Sequence, residues 1–403
     1  MSTPDFPLPD TIAGVPGDSG RPAPRTRVLL MSSNGAGMGH LTRLLAYAQH
    51  LPPHIEPYVL SLSQAVPVVA GFGYRYEYLP SAGALGMTSA LWQPLFAERL
   101  AEAVGRIAPA LVVFDGTHPY RGIDQARAAH PDVRWVWSRR GMWKTGRNSD
   151  QLAKSAWFDE VIEPGDLAAE ADRGASASAP AFRVGPVTLV DGAELVTRAE
   201  ARAALGLPAD GRIGLVSLGA GNINDTTGEV GGASAALRAN DCAVAVTDVA
   251  IAESAHTADV HLVRAYPLAR FYRAFDVVIS AAGYNSFHEL LRLGVPALFV
   301  PNTETSLDDQ VARATYAGER GWARTLASAA GPDASEAVRL MLAHGADMAG
   351  SAAASDPGNG APAAAARLMA VLSEASRPPD LGPSDAIDDV VAGAGVDPGE
   401  GRA

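Results

Sequence analysis

Short apolar runs alternate along this chain with longer stretches in which apolar and polar residues recur at helical spacing. Residues 26–33, 110–115 and 212–217 are largely apolar runs with the length of buried strands. Residues 41–50 and 90–105 have the periodicity of amphipathic helices. Glycine and proline mark many of the turns between these segments. Alternating strands and helices predict an α/β fold in which the strands run parallel.

The stretch from residue 277 to residue 301 carries the most specific structural prediction. It predicts a strand at 277–280, a glycine turn, a helix that begins near Asn285 or Ser286, and a second strand at 297–300. Two strands joined by one helix of this length form a βαβ unit, so they lie parallel in one sheet. The helix N-terminus then faces the carboxyl edge of the sheet, where its free N–H groups and positive dipole end suit a phosphate.

Three residues of this unit are candidates for contacts with a nucleotide. Gly283 would let the backbone approach a diphosphate closely, and Ser286 could donate from its hydroxyl. Glu289 lies about one turn further along, where a carboxylate can accept both hydrogen bonds of a ribose diol. The alternative is purely structural: Ser286 caps the helix, and Glu289 lies near its positive end. The pattern alone does not choose between these interpretations.

Composition and charge narrow the range of functions. A chain of 403 residues that is 47% hydrophobic is long enough for two globular domains with full cores. The formal charge of -12 argues against a nucleic-acid polymer as partner, because such a partner needs clustered Lys and Arg. Cys242 is the only cysteine, so an internal disulfide is impossible and a cytoplasmic location is expected.

The two ends of the chain have a different composition from the rest. Residues 1–24 and 377–403 are rich in Pro, Gly and Asp, and we expect both to be disordered. The N-terminal residues lack a basic segment followed by an apolar core, so no secretory signal is predicted. No run of eighteen apolar residues occurs, which predicts that any contact with a membrane is peripheral.

A glycine-rich loop connects the first predicted strand to the first predicted helix. It runs from Asn34 to His40, and Gly35 and Gly37 match the start of the dinucleotide motif G-x-G-x-x-G. The third glycine of that motif would fall at His40, and residues 59–62 lack the acidic residue expected near the end of the second strand. A dinucleotide is therefore not expected, and we predict no cofactor.

The residues around the helix predicted near Asn285 resemble the donor-binding segment of GT-B glycosyltransferases that use nucleotide sugars. That family includes the plant secondary-product enzymes and the bacterial enzymes that add N-acetylglucosamine to the peptidoglycan lipid intermediate. The resemblance implies two doubly wound, Rossmann-like domains that face a cleft, with residues 25–185 binding the acceptor and residues 192–375 binding the donor. The matching positions are Gly283, Tyr284, Asn285, Ser286, Glu289, Gly294, Val295, Pro296, Pro301, Asp309 and Gln310.

The donor-binding residues that the resemblance implies have three roles. One residue holds the ribose, one group contacts the diphosphate, and one pair holds hydroxyls of the donor sugar. In that order they are Glu289, then Gly283 with Ser286, and then Asp309 with Gln310, and Asn285 belongs to the same donor site.

One position departs from the pattern of the family. The plant enzymes have a histidine that contacts the diphosphate two residues before the glycine, and this chain has Ala281 there. The contact must then come from elsewhere. The candidates are Gly219, Gly221 and Asn222, in the glycine loop that follows the strand at 212–217. A plain tight turn is the alternative interpretation of that loop.

The first glycine loop resembles the loop of GT-B enzymes that ends in Gly-His. The resemblance assigns Gly37 and Gly39 to the acceptor side and makes His40 the base that deprotonates the acceptor hydroxyl, or the residue that positions it. Histidine suits this task because its unperturbed pKa lies near the operating pH. Asp115 is the matching acid that would orient the imidazole. The alternatives are a helix-start residue at His40 and an ordinary turn residue at Asp115.

Residues 139–147 form the densest positive cluster of this acidic chain, and they include an aromatic residue. Such a segment at the end of a strand suits an anionic acceptor, a lipid diphosphate or a membrane surface. The alternative is a solvated loop with its tryptophan packed on the core. The residues assigned to acceptor binding are Arg139, Arg140 and Trp143.

Together these features predict an inverting, metal-independent hexosyltransferase, since no Asp-x-Asp motif accompanies either glycine loop. The expected donor is a nucleoside-diphosphate sugar, with UDP as the favoured nucleotide. The expected acceptor is a hydroxyl, and lipid-linked or cell-envelope acceptors at the inner face of the plasma membrane are included. Two alternatives stay open: a nucleotide-sugar epimerase of the same fold, and a non-catalytic nucleotide-sugar-binding subunit of a membrane partner.

Overall fold

The computed structural model describes residues 25–33, 38–219, 227–247 and 260–374, which form two parallel sheets covered by helices. The strands of the first sheet are β1 (Thr26–Ser32), β2 (Ile55–Ser61), β3 (Arg75–Tyr78), β4 (Leu111–Asp115), β5 (Arg134–Ser138), β6 (Glu160–Glu163) and β7 (Phe182–Arg183). The helices of this domain are α1 (Gly39–Gln49), α2 (Ser89–Ile107) and α3 (Ile123–Ala129). The strands lie side by side in the order β3-β2-β1-β4-β5-β6-β7.

The second sheet has the spatial order β10-β9-β8-β11-β12-β13. Its strands are β8 (Arg212–Ser217), β9 (Cys242–Thr247), β10 (His261–Val263), β11 (Val277–Ser280), β12 (Ala297–Phe299) and β13 (Arg324–Thr325). The α-helices that accompany it are α4 (Arg198–Ala204), α5 (Thr227–Arg238), α6 (Tyr284–Arg292), α7 (Gln310–Glu319) and α8 (Ala334–Ala354), and α9 (Ala361–Ser373) follows them.

Both sheets are doubly wound, and each has one point where the strand order reverses. The reversal lies between β1 and β4 in the first sheet and between β8 and β11 in the second. Neighbouring strands are parallel throughout the described residues. Their carboxyl ends therefore share one edge, and such a switch point is where open α/β sheets bind ligands. The predicted fold class, with two doubly wound Rossmann-like domains, is confirmed.

Strand β1 shows why these runs are apolar throughout. Val28 and Leu30 point to one face of the sheet, where they pack with α1, and Leu29 and Met31 point to the other face, where they pack with α2. A parallel strand that is covered on both faces has no polar side, so its sequence lacks the alternation of a half-exposed strand.

Helix α9 returns to the first domain after the chain has completed the second. Ala361, Ala364, Leu368 and Val371 are buried in the same apolar cluster as the residues of β1 and α1. The side chain of Arg367 forms an ion pair with Glu160 at the start of β6. The core of the first domain is therefore built from both ends of the described chain.

Two segments cross between the domains, residues 184–197 and residues 355–360. They touch backbone to backbone, because the amide of Gly360 donates to the carbonyl oxygen of Pro186 at 2.8 Å. A Cβ atom on Gly360 would lie 2.0 Å from the carbonyl oxygen of Gly185, so this approach requires glycine. None of the helices within the described ranges combines the length and hydropathy needed to cross a bilayer.

Candidate active site

The two switch points meet through the N-termini of α1 and α6. His40 is the second residue of α1, which follows β1, and Asn285 is the second residue of α6, which follows β11. The Asn285 side-chain amide donates to the carbonyl oxygen of Gly39 at 3.3 Å. Two helix N-termini from different domains are thus in direct contact, and both supply free N–H groups and positive dipole ends.

The structure brings His40 and Asp115 together. The imidazole Nδ1 lies 2.7 Å from Asp115 Oδ1, and the carboxylate is fully buried at the carboxyl end of β4. The hydroxyl of Ser138, at the end of β5, donates to the other carboxylate oxygen at 2.6 Å. Nδ1 also lies 2.9 Å from the Arg43 guanidinium, but its shorter contact is to an ionised carboxylate, which can only accept. The pairing therefore favours the tautomer in which Nδ1 carries the proton and Nε2 is the basic nitrogen.

Arg43 completes this cluster, and the sequence patterns did not single it out. Its guanidinium binds Asp115 with both arms of the fork, Nε to Oδ2 at 3.0 Å and Nη2 to Oδ1 at 2.5 Å. It lies 5.1 Å from the centre of the Tyr284 ring and donates through Nη1 to the Asn285 side chain at 3.5 Å. The available signal was its position one turn after His40 in a helix face that is otherwise mostly apolar.

The electrostatic surroundings keep the pair in the state that a base needs. Burial lowers the pKa of His40, and the cations Arg43 and Arg140 lower it further, against the opposing effect of Asp115. Burial alone would raise the pKa of Asp115, but Arg43 and His40 hold it at about 2. A neutral imidazole next to an ionised carboxylate can accept a proton, and the carboxylate then stabilises the imidazolium.

The predicted βαβ unit is present with nearly the expected limits. Strand β11 ends at Ser280, Gly283 is the N-cap of α6, and β11 pairs in parallel with β12. Ser286 is half-buried in the first turn of α6. A Cβ atom on Gly283 would lie 3.8 Å from the Gln310 side-chain amide, so the two predicted donor residues Gly283 and Gln310 are neighbours.

Glu289 is buried one turn further along α6, on the donor side. The hydroxyl of Tyr272 donates to its carboxyl group, and Arg292 lies near enough to influence its charge. Burial raises the pKa of Glu289 to about 8, although Tyr272 and Arg292 oppose this rise. The carboxyl therefore holds a hydroxyl donor, which is the kind of partner that a ribose would offer.

Asp309 and Gln310 have structural partners at the start of α7. Asp309 is the N-cap, and its side chain accepts from the amide of Ala312 at 3.0 Å. Gln310 is buried and accepts from the amide of Asn302 at 3.0 Å. The carboxylate of the neighbouring Asp308 lies between Arg140 of the first domain and Arg313 of the second. The sequence motifs gave no role to Asp308.

Asp308 belongs to a buried chain of four alternating charges that joins the domains. Arg313 on α7 donates to Asp166 of the first domain at 2.9 Å and to Asp308 at 3.1 Å. Asp308 in turn contacts Arg140 of the first domain at 3.2 Å. The same Arg313 donates to the carbonyl oxygen of Ala282 at 2.8 Å, next to the glycine turn before α6.

Within the basic segment 139–147, the structure places Arg139 and Trp143 in the core. The Arg139 guanidinium is fully buried, pairs with Glu163 at 2.6 Å and lies between the rings of Trp137 and Trp143. Trp143 is also buried, with 1% of its surface exposed. The pleat of β5 continues one residue past its end and directs Arg139 to the same face as Trp137.

The same segment joins the domains through its backbone. Trp143 forms a β-bridge with Asp308, and the amide of Asp309 donates to the carbonyl oxygen of Met142 at 2.9 Å. The Lys144 ammonium group donates to the carbonyl oxygens of Thr303 and Thr305. The positive cluster therefore contacts the segment that leads into α7. Of the three residues of this cluster predicted to bind the acceptor, Arg140 lies close enough to His40 and Arg43 for their charges to interact.

The glycine loops are only partly within the described residues. Gly219 follows β8 with a φ of 96°, a left-handed conformation that favours glycine. Gly39 begins α1 and accepts from Asn285, as described above. Gly37, Gly221 and Asn222 lie outside the described residues.

Comparisons with known proteins agree with this architecture. Residues 254–354 match the glycosyltransferase family 28 C-terminal domain. No curated protein matches the sequence. Among solved structures, the spinosyn forosaminyltransferase SpnP has a TM-score of 0.62 at 16% identity, over 87% of this chain and 100% of that chain.

Two further solved structures have the same fold. The glycosyltransferase VinC in complex with dTDP has a TM-score of 0.58 at 18% identity, over 86% of this chain and 99% of that chain. MurG of Acinetobacter baumannii has a TM-score of 0.55 at 15% identity, over 85% and 99%. These likenesses confirm the GT-B fold that the sequence predicts. The family match in the second domain supports glycosyltransferase activity.

Replacing Arg43 by Ala should destabilise the protein strongly. The substitution leaves Asp115 as an uncompensated buried charge, which typically costs about 3–5 kcal/mol. Urea denaturation followed by tryptophan fluorescence measures this loss. The exposed Arg147→Ala, elsewhere in the first domain, is the control and should change the free energy of unfolding little. Equal free energies of unfolding for the two variants would contradict a large contribution of the Arg43 ion pair to stability.

Replacing Glu289 by Gln should increase the free energy of unfolding relative to that of wild type, and this difference should grow as the pH rises. The folded pKa of about 8 exceeds the ordinary value of 4.5, so the folded chain holds a proton that the unfolded chain releases between these pH values. The free energy of unfolding of wild type should therefore fall by up to about 1.4 kcal/mol per pH unit because of this group, and that of the Gln variant should not.

Denaturation of both proteins at pH 5.5, 7.0 and 8.5 measures the difference, with Glu98→Gln on the exposed side of α2 as control. A difference between wild type and Glu289→Gln that stays constant across this range would refute the raised pKa.

Proposed function

We propose that this chain is an inverting glycosyltransferase that transfers a sugar from a nucleoside-diphosphate sugar to an acceptor hydroxyl. One observation carries the proposal. The neutral imidazole of His40, paired with Asp115, lies at the switch point of the first domain beside the N-terminus of α6 from the second. A base and an anion-binding helix end thus meet across the domain boundary, as transfer between an acceptor and a diphosphate donor requires.

The roles of the residues follow from this arrangement. Asp115 holds the imidazole through Nδ1, and Nε2 takes the proton from the acceptor hydroxyl. The acceptor oxygen forms a bond to the anomeric carbon while the bond to the diphosphate oxygen breaks. A single displacement of this kind inverts the anomeric configuration. The N–H groups at the start of α6, with Gly283 and Ser286, stabilise the charge of the leaving diphosphate.

The donor is held by the second domain in this proposal. Glu289 binds the ribose by exchanging the Tyr272 hydroxyl for those of the sugar, and Asp309 with Gln310 bind the transferred sugar. A pyrimidine nucleotide is proposed: UDP follows from the sequence resemblance, and dTDP is the nucleotide in the VinC complex. Gly219 follows the end of β8, the strand next to β11, and together with Gly221 and Asn222 it is proposed to support the diphosphate.

The acceptor is proposed to approach from the first domain, beside Gly39 and His40. With Arg139 and Trp143 in the core, an anionic acceptor cannot be assigned to the whole basic segment. Exposed leucines on the first domain offer an apolar surface near the start of α2 instead: Leu85, Leu91 and Leu95. A lipid-linked or other cell-envelope acceptor, with a cytoplasmic enzyme at the inner face of the membrane, stays part of the proposal.

Nucleotide binding tests the donor site without knowledge of the acceptor. Calorimetric titration of wild type with UDP, dTDP, GDP and ADP should detect binding of at least one pyrimidine nucleotide. Because the raised pKa of Glu289 leaves its carboxyl largely protonated at pH 7, Glu289→Ala should weaken that binding by about 0.5–1.5 kcal/mol, the usual contribution of a hydrogen bond between neutral groups. Glu336→Ala, on the exposed surface of α8, is the control. If wild type binds none of the four nucleotides, the proposed function is wrong.

Removing His40 separates a transferase from a binding subunit. His40→Ala should lower the rate of nucleoside-diphosphate release with a panel of hydroxyl acceptors by about 10²–10⁴-fold, the usual contribution of a general base. Its affinity for the nucleotide should stay close to that of wild type. The exposed His50→Ala at the end of α1 is the matched control. An unchanged rate in His40→Ala would remove the case for base catalysis by this residue.

A further inference from the structure

Arg140 makes fewer contacts with carboxylates than the neighbouring cations Arg43 and Arg313. Arg43 and Arg313 are buried and each bind carboxylates through several hydrogen bonds. Arg140 has 17% of its side chain exposed and contacts Asp308 through Nη1 alone, at 3.2 Å. Within the described residues, no other protein partner binds its guanidinium nitrogens, and none of these nitrogens is both buried and unpaired. Its remaining N–H groups are therefore accessible to solvent.

The ion pair of Arg140 can open without leaving a buried charge behind. Asp308 also accepts from Arg313 at 3.1 Å, so it keeps a cationic partner when Arg140 moves away. Arg313 is held in addition by Asp166 and by the carbonyl oxygen of Ala282. Breaking a buried pair is costly mainly when one charge is left alone. Here Asp308 keeps Arg313, and the partly exposed guanidinium of Arg140 can turn to water or to an anionic ligand.

Two buried residues connect Arg140 to the turn before α6. Asp308 and Arg313 link its guanidinium to the carbonyl oxygen of Ala282, the residue before Gly283. On its other side Arg140 lies close enough to Arg43 and His40 for their charges to interact. The preceding residue, Ala281, offers no side-chain donor to an anion at this turn.

We propose that Arg140 exchanges Asp308 for the diphosphate of the donor and supplies, from the first domain, the side-chain contact that Ala281 cannot make. This inference rests on the proposed function, since it assumes that a nucleoside diphosphate binds at the start of α6. A guanidinium can bind phosphate oxygens through two parallel hydrogen bonds. Its single contact with Asp308 leaves N–H groups of Arg140 available for such a pair.

The exchange connects donor binding to the base. Arg140 lowers the pKa of His40 through its positive charge. A diphosphate paired with Arg140 offsets that charge, so His40 becomes a stronger base once the donor is present. The first domain then responds to a ligand that the second domain holds, and a protein without donor keeps a weaker base.

The test compares ligands with and without the diphosphate. Wild type, Arg140→Gln and Arg140→Lys are titrated by calorimetry with UDP, dTDP and uridine. We expect Arg140→Gln to lose roughly 10- to 100-fold in affinity for the diphosphates, the equivalent of a charged hydrogen bond. Its affinity for uridine should match wild type, and Arg140→Lys should lose less. Arg147→Gln, an exposed arginine of the same segment, should bind all three like wild type.

A second variant tests the exchange itself. Asp308→Asn removes the competing charge, so UDP should bind more tightly than to wild type, and this gain should vanish in Asp308→Asn/Arg140→Gln. Undiminished diphosphate affinity in Arg140→Gln, or an equal loss for uridine, would overturn the inference while the proposed function stands. If wild type binds neither diphosphate, the proposed function and this inference both fail.

Discussion

The buried ion pair between Arg43 and Asp115 is the interaction on which the candidate site depends. It places a carboxylate where no water can reach it and satisfies that carboxylate with a guanidinium fork, a serine hydroxyl and an imidazole. Desolvation of both charges is costly, and good geometry with several added hydrogen bonds is what offsets it. The pair fixes α1 against β4 and β5, so the orientation of His40 is set by the core of the domain.

The same guanidinium ties the two domains together. It lies over the ring of Tyr284, whose hydroxyl accepts from the amide of Val187 and donates to the carbonyl oxygen of Gly165. The chain of charges from Asp166 to Arg140 runs alongside. Ion pairs and hydrogen bonds between domains can be exchanged for contacts with water, which suits domains that open to admit substrates.

Several features of the fold and site followed from the sequence because they depend on local pattern. Strands at 212–217 and 277–280 are continuous apolar runs, and the structure has them at the same limits. The pairing of His40 with Asp115 was predicted through the resemblance. The helix at residues 334–354 was not predicted, because its many small residues give weak contrast between faces. Gly345 within it is required by close packing, since a Cβ there would lie 2.9 Å from Pro296.

What the sequence could not predict is which way a charged side chain points. Composition identified residues 139–147 as basic but could not tell that Arg139 turns inward to Glu163 while Arg140 turns to Asp308 of the second domain. Asp308 and Asp309 are adjacent acids, and only the path of the chain decides that one caps a helix and the other joins the domains. Such choices depend on partners far away in sequence, which periodicity does not record.

The return of α9 to the first domain has a consequence for biosynthesis. Its buried residues Ala361 and Leu368 close the apolar layer over β1 and α1, more than three hundred residues after those elements leave the ribosome. During translation the apolar groove that α9 later fills therefore stays uncovered while the second domain is synthesised. The two halves cannot mature independently, so the nascent chain depends on protection of that groove until α9 arrives.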